Sequence, residues 1–158
     1  MDNAAFSNHK NLFKEFHRTM ESMIEKAIKA NIKYANQTIP QQPDTLFLYA
    51  ALENGTENEF IIDLELNYDT GTALLYHIAL PQNMRNKGLG TMIVHIIERL
   101  AGKLGLQSIT LPAEHNSTGF WLKLGYQFRY PVEKIFYNQH SKRQNLNLAY
   151  DLHKNLQL

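Results

Sequence analysis

The sequence predicts an α+β domain, with a mixed, mostly antiparallel sheet, a central βαβ crossover and flanking helices. Three observations carry that expectation. Apolar residues recur first at three- and four-residue spacing, then at every second residue, then at helical spacing again. Short turn signals join the period-two segments, which marks an antiparallel meander. The strand Ala73 to Leu80, the helical stripe after Pro81 and the strand Ser108 to Leu111 follow in order, as in a right-handed crossover between parallel strands. A length of 158 residues suits one domain.

The first element is helical. Leu12, Phe13, Phe16, Met20, Met23, Ile24, Ala27, Ile28 and Ile32 form one stripe, with Lys14, Glu15, Arg18, Glu21, Glu25 and Lys26 opposite. Core packing is the plain use of such a stripe; a lid or a homodimer contact is the other. Pro40 and Pro43 end the helical part, expected over 1–39. Leu46 to Leu52, Phe60 to Tyr68 and Ala73 to Leu80 then read as three strands. The turns are Glu53-Asn54-Gly55-Thr56 and Asp69-Thr70-Gly71. Together they make a meander over 45–80.

Met92, Ile93, Ile96, Ile97, Leu100 and Leu104 form a second helical stripe, closed by Gly105. Ser108 to Leu111 reads as a strand and Ser117 to Leu124 as a short helix ending at Gly125. Leu146, Leu148, Tyr150 and Leu152 alternate with polar residues as a last strand. Pro131 to Arg143 reads as a long loop, so 129–158 is expected to be loop and C-terminal strand.

Charge and composition exclude several function classes. The 16 Lys+Arg nearly balance 15 Asp+Glu, so a generally basic nucleic-acid binder is ruled out and nucleic acid is not the expected partner. There is no cysteine, hence no disulfide scaffold, thiolate zinc site or cysteine nucleophile. No His/Asp/Glu set has metal-ligand spacing, so no metal is expected. The first ten residues lack a signal-peptide core, and no stretch approaches the roughly 18 apolar residues of a membrane span. These features lead us to expect a cytoplasmic chain with no membrane partner.

One segment carries chemistry: Leu80-Pro81-Gln82-Asn83-Met84-Arg85-Asn86-Lys87-Gly88-Leu89-Gly90-Thr91. It joins a strand to a helix N-terminus. Glycines let backbone N–H groups turn inward, and successive N–H groups at a helix start suit phosphate. Arg85 and Lys87 add positive charge. The dinucleotide fingerprint fails because its third glycine position is Ile93, and no Walker A string exists. Arg85, Gly88 and Gly90 fit the spacing Arg-x-x-Gly-x-Gly. Alone, that spacing is a weak signal, and a tight strand-to-helix turn is its other reading.

With a second motif the pattern becomes specific. Asn116-Ser117-Thr118-Gly119-Phe120-Trp121-Leu122-Lys123-Leu124-Gly125-Tyr126 follows at the right distance, and the strand Ile78-Ala79-Leu80 precedes Arg85 by the right gap. The stretch from Ala73 to Phe128 resembles a GCN5-related N-acetyltransferase (GNAT) domain. The first strand usual in that family is not evident, because the chain opens with helix.

The resemblance implies acetyl-CoA, or another acyl-CoA, as co-substrate, held by a core over 81–128. Backbone N–H groups from Arg85, Asn86, Lys87, Gly88, Leu89, Gly90 and Thr91 would hold the pyrophosphate. Ile78, Ala79 and Leu80 would pair with the pantetheine arm where the parallel strands splay. The N–H of Leu80 would polarise the thioester carbonyl. Asn116 matches a position that often bonds the cofactor near its reactive end. A primary amine, on a small molecule or on a peptide or protein, would attack directly.

Two positions depart from the family. The usual tyrosine acid is Trp121 here, and an indole N–H is a donor but not a usable acid. Counting back six from Leu80, where a base is often found, gives Leu74; counting back four gives Tyr76. Regular alternation puts Leu74, Tyr76, Ile78 and Leu80 on one face and His77 on the other, which argues against His77 as base. Glu114 and His115 follow the next strand at the mouth of the splay, and either could accept an amine proton. Tyr126 reads as packing. Glu114, Tyr76 and Trp121 are therefore the catalytic candidates. The main alternative is a non-catalytic acyl-CoA-binding or sensing module, motivated by Leu74 and Trp121; a third is an interaction domain using the N-terminal helix.

Overall fold

The computed structural model describes residues 9–28, 32–52, 61–80 and 88–156. Helix α1 spans Lys10–Ile28. Strands β1 (Ile32–Ile39), β2 (Gln42–Leu52), β3 (Ile61–Asn67) and β4 (Thr72–Ala79) follow. Helix α2 (Leu89–Lys103) leads to β5 (Ser108–Glu114), a 3-10 turn (His115–Ser117) and α3 (Thr118–Lys123). The chain closes with β6 (Gln127–Phe128), α4 (Pro131–His140) and β7 (Ala149–Asn155). The seven strands form one sheet in the order β1-β2-β3-β4-β5-β7-β6. Only β4 and β5 pair in parallel; every other neighbour is antiparallel. This is the mixed α+β architecture that the sequence predicts.

Two segments differ from the expectation. Residues 32–39 are a strand and not the end of a helix. Ile32 does fall four residues after Ile28, so it extends the helical stripe by spacing alone. But Ile32, Tyr34, Thr38 and Ile39 are β-branched or aromatic residues that favour a pleated surface, and β2 supplies an edge. The pair runs from Ile32↔Leu52 to Ile39↔Gln42, closed by Pro40-Gln41. Residues 131–140 are helix and not loop. Pro131 sits at the first helical position, where its missing N–H costs nothing. There the proline starts the element.

The core lies on one face of the sheet. Leu46, Leu48 and Ala50 of β2, Ile62, Leu64 and Leu66 of β3, and Ala73 and Leu75 of β4 are buried on it. Ile109, Leu111 and Ala113 of β5 continue the layer. α1 contributes Phe13, Phe16 and Met20, and α2 contributes Ile93, Val94, Ile97 and Leu100. The opposite face carries Tyr49, Asp63, Glu65, Tyr76, His77, Pro112 and Glu114, half-buried or exposed. That open face is where a second molecule can reach the sheet. No helix among the described residues is long and apolar enough to cross a membrane.

Candidate active site

The site begins where two strands part. β4 and β5 pair only at Thr72↔Ser108, Ala73↔Ile109 and Leu74↔Thr110. Beyond that, β4 continues on β3 as far as Ala79, and β5 continues on β7 as far as Glu114. Each strand thus keeps one bonded edge, which lets them separate without breaking both ladders. The gap is a cleft of ≈ 540 Å³. Tyr76, His77, Ile78, Ala79 and Leu80 form one wall; Leu111, Pro112 and Glu114 form the other; Ser117 and Trp121 close it.

α2 starts near the end of the β4 wall. Gly88 caps it with φ 74, a left-handed backbone that glycine adopts without a Cβ penalty. The first backbone N–H to bond back is that of Met92, to the Gly88 carbonyl at 3.1 Å. The N–H groups of Leu89, Gly90 and Thr91 therefore have no acceptor within the helix, and they carry the positive end of its dipole. Gly90 has ordinary packing space around it. A Cβ there would lie 3.4 Å from Phe120 Cζ and 3.8 Å from Leu80 Cδ1, so three elements converge at this point. The rest of the expected loop, including Arg85, Asn86 and Lys87, lies outside the described residues.

The predicted proton-transfer residues fall into different environments. Tyr76 lines the cleft and is 45% exposed. Its hydroxyl donates to Glu65 Oε2 at 2.8 Å. Partial burial, that hydrogen bond and the charges of Glu65 and Asp63 raise its pKa, so the phenol holds its proton and is a poor base. Trp121 is 5% exposed and packs edge-on against Phe120 and Tyr126. It forms an apolar wall. Glu114 is exposed at the cleft mouth, while its backbone carbonyl accepts hydrogen bonds from Ser117 Oγ and Thr118 Oγ1 at 3.1 and 2.8 Å. These bonds turn the chain sharply after β5.

Two expectations are corrected. His115 does not face the cleft as a base. It is buried, its Nδ1 is 2.7 Å from the Tyr150 hydroxyl, and its Nε2 is 2.8 Å from the Arg143 carbonyl oxygen. Both nitrogens are used to hold structure. Nor does β4 alternate regularly. Leu64 pairs with Leu75 but Asp63 pairs with His77, so Tyr76 is an extra residue in a β-bulge. Ile78 therefore shares the covered face with Ile62, while Leu74, Tyr76 and His77 share the open face. A period-two count has no signal for a bulge, which is why His77 looked wrongly placed. Asn116 sits in the 3-10 turn beside the cleft but is exposed and does not line it. Tyr126 packs in the core, as the sequence reading has it.

Comparison with known proteins gives the family. The profile described as "Acetyltransferase (GNAT) family" matches residues 19–126. No curated protein matches the sequence. Among solved structures, Tetrahymena GCN5 is similar with a TM-score of 0.50 and 16% identity, over 95% of this chain and 89% of that one. A Lactobacillus plantarum protein assigned as an N-acetyltransferase is similar with a TM-score of 0.51 and 12% identity, over 90% and 89%. Nourseothricin acetyltransferase is similar with a TM-score of 0.50 and 12% identity, over 77% and 71%. At these identities the solved structures establish the fold, and the profile, which spans most of the chain, establishes kinship: the chain belongs to the GNAT family of acetyltransferases, whose co-substrate is acetyl-CoA or another acyl-CoA.

Proposed function

We propose that this chain transfers an acetyl group from acetyl-CoA to a primary amine by direct attack, with no covalent enzyme intermediate. The observation that carries the reading is the parting of β4 and β5 beyond Leu74 and Thr110, beside the start of α2. A slot between two strand edges suits an extended pantetheine arm along Ile78, Ala79 and Leu80. The N–H groups of Leu89, Gly90 and Thr91 suit the pyrophosphate at its end. Arg85, Asn86 and Lys87 supply the rest of that loop. Leu111, Pro112 and Trp121 give the slot an apolar lining that excludes water from a thioester.

The amine approaches from the open face, where Glu114 and Tyr76 stand at the cleft mouth. Holding amine and thioester together supplies most of the acceleration, and a proton-transfer group adds typically about 10²–10⁴-fold. Small-molecule, peptide and protein amines are all candidate acceptors. Incubation with acetyl-CoA and a panel of amines and peptides, followed by free-thiol release, tests this reading. Turnover of one amine supports it; tight CoA binding without turnover of any favours a binding or sensing module instead. Leu74 and the buried Trp121, in place of the family's usual proton-transfer groups, are the observation that favours that second reading.

A further inference from the structure

Helix α4 is amphipathic, but its apolar side faces away from the domain. A surface helix ordinarily turns its apolar stripe to the core. In α4 the half-buried stripe is Glu133, Tyr137 and His140, at helical spacing. Glu133 Oε1 accepts the Asp151 N–H at 3.0 Å, just past the last β6 pair, Phe128↔Leu152. The Tyr137 ring lies 5.7 Å from both His115 and Tyr150 and 5.6 Å from Phe128. No residue of the helix is buried. Val132 is 73% exposed and Ile135 58%, and Phe136 and Tyr130 are exposed beside them. These side chains make an apolar ridge along the outside of the helix.

The exposed charges around that ridge have one sign. From 129 to 143 the chain carries Arg129, Lys134, Lys142 and Arg143 against the single acid Glu133. All four cations are exposed, whereas Glu133 is half-buried and turned to the β7 backbone. Arg129 lies over the Tyr130 ring, 5.6 Å from its centre. An apolar ridge with a cationic rim suits a partner with apolar side chains and acidic flanks. A twofold pairing of α4 with its own copy would instead gather the cations of both chains at one interface, which like charges oppose. A bilayer is served poorly as well. One myristoyl chain anchors only marginally, and Val132, Ile135 and Phe136 together bury no more hydrocarbon than that.

We infer that the outer ridge of α4 is a docking surface for another polypeptide. The docked segment covers Val132, Ile135 and Phe136 with apolar side chains, and its carboxylates meet Arg129, Lys134, Lys142 and Arg143. An acidic amphipathic helix has that chemistry, with apolar residues at i, i+3, i+4 and i+7. Glu133 and Tyr137 hold α4 from beneath, so the ridge is formed before the partner arrives and binding spends little on ordering it. The surface is separate from the cleft, whose lining contains no α4 residue. It therefore stands whether or not the chain transfers an acyl group. Tyr137 touches His115, the neighbour of Glu114, so a docked partner lies beside the cleft mouth.

Fluorescence anisotropy on the full chain tests this with two labelled, end-blocked peptides of about 15 residues, long enough to form helix. Both carry Leu at i, i+3, i+4 and i+7; one has Glu at the flanking positions and the other has Lys. The Glu peptide should bind, and the Lys peptide should bind at least about tenfold more weakly. Ile135→Ser should weaken the Glu peptide by about tenfold or more. Lys134→Glu combined with Lys142→Glu should weaken it too and reduce its salt dependence. The melting temperature of these variants should stay at the wild-type value, because each altered side chain is exposed. No binding of the Glu peptide, equal binding of both peptides, or unchanged affinity in Ile135→Ser overturns the inference. A wild-type dimer in sedimentation that Ile135→Ser dissociates also overturns it, and gives the ridge to a second copy. Co-flotation with phosphatidylglycerol vesicles that Ile135→Ser abolishes overturns it in favour of lipid.

Discussion

The imidazole of His115 and the hydroxyl of Tyr150 meet at 2.7 Å, and the far nitrogen of the same ring lies 2.8 Å from the Arg143 carbonyl oxygen. A carbonyl can only accept, so Nε2 carries the proton. With Nε2 as the N–H of the ring, Nδ1 is the acceptor for the Tyr150 hydroxyl. His115 follows directly after β5, Tyr150 lies in β7, and Arg143 lies in the connection after α4. One side chain therefore ties three segments together next to the cleft mouth.

Removing either half of this clasp should cost stability. Tyr150→Phe keeps the ring and its contacts with Phe128 and Tyr137 but leaves a buried nitrogen without its donor. The expected loss is about 1–3 kcal/mol. His115→Ala should lose more, because it also opens a cavity and strands the Arg143 carbonyl. Urea unfolding measures both. A Tyr150→Phe midpoint equal to wild type would show that the bond contributes nothing.

The balance between sequence and structure follows from the range of the forces involved. The meander, α2 and the α1 stripe were readable because each declares a period over seven or more residues. Gly88 and Gly105 were readable as boundary residues, and both have positive φ. Residues 32–39 were not, because their helical spacing with Ile28 competed with a preference that only the edge of β2 decides. Pro131 misled because a proline that ends one element and a proline that starts another look alike in isolation. Of the residues lining the cleft, Ile78-Ala79-Leu80 were singled out by motif and Glu114 by its position after the next strand. The bulge that re-aims His77 was not, since it arises from the pairing of Leu75 with Leu64 and of His77 with Asp63 across two strands. The burial of His115 depends on Tyr150, 35 residues away in the chain.

Stability should decline on the alkaline side, with a sign set by two tyrosines. Burial pushes the Tyr68 phenol up to about 12. Burial raises Tyr126 further, helped by the charge and hydrogen bond of Glu98. Unfolded phenols titrate near 10. Above that pH the unfolded chain has released protons that the folded chain still holds, so stability falls as pH rises. Their contribution is complete below about pH 10 and is lost progressively above it. Urea midpoints measured between pH 8 and 11.5 should bend downward, and Tyr68→Phe and Tyr126→Phe should each flatten the bend. An unchanged slope in both variants would remove the explanation.

The two glycines at the start of α2 should respond differently to substitution. Among the described residues nothing lies within 4 Å of a Cβ at Gly88, so Gly88→Ala is expected to cost the left-handed backbone, about 1–2 kcal/mol. Gly88→Asn should recover part of this, as asparagine tolerates that conformation. Gly90 is helical, and Gly90→Ala meets Phe120 Cζ at 3.4 Å, so its stability should stay near wild type. Gly90→Arg instead fills the space before the N–H groups of the first helical turn, and CoA binding by calorimetry should be lost with the fold intact by circular dichroism. Normal CoA affinity in Gly90→Arg would move the pyrophosphate away from this helix.

Trp121 gives the last test, because packing and chemistry predict opposite results for one substitution. Its ring is buried between Phe120 and Tyr126 and closes the cleft. If the indole is a wall, Trp121→Phe preserves an aromatic surface, and kcat should fall by less than tenfold while KM for acetyl-CoA rises through lost contact. Trp121→Ala should cost about 3–5 kcal/mol of stability, the usual range for an aromatic truncated in a core. If instead the indole N–H bonds the leaving sulfur, the loss in Trp121→Phe appears in kcat and reaches about 10²-fold or more, as for other donors aimed at developing charge. The buried, edge-on packing favours the wall. Steady-state kinetics of Trp121→Phe, read as kcat against KM, decides between them.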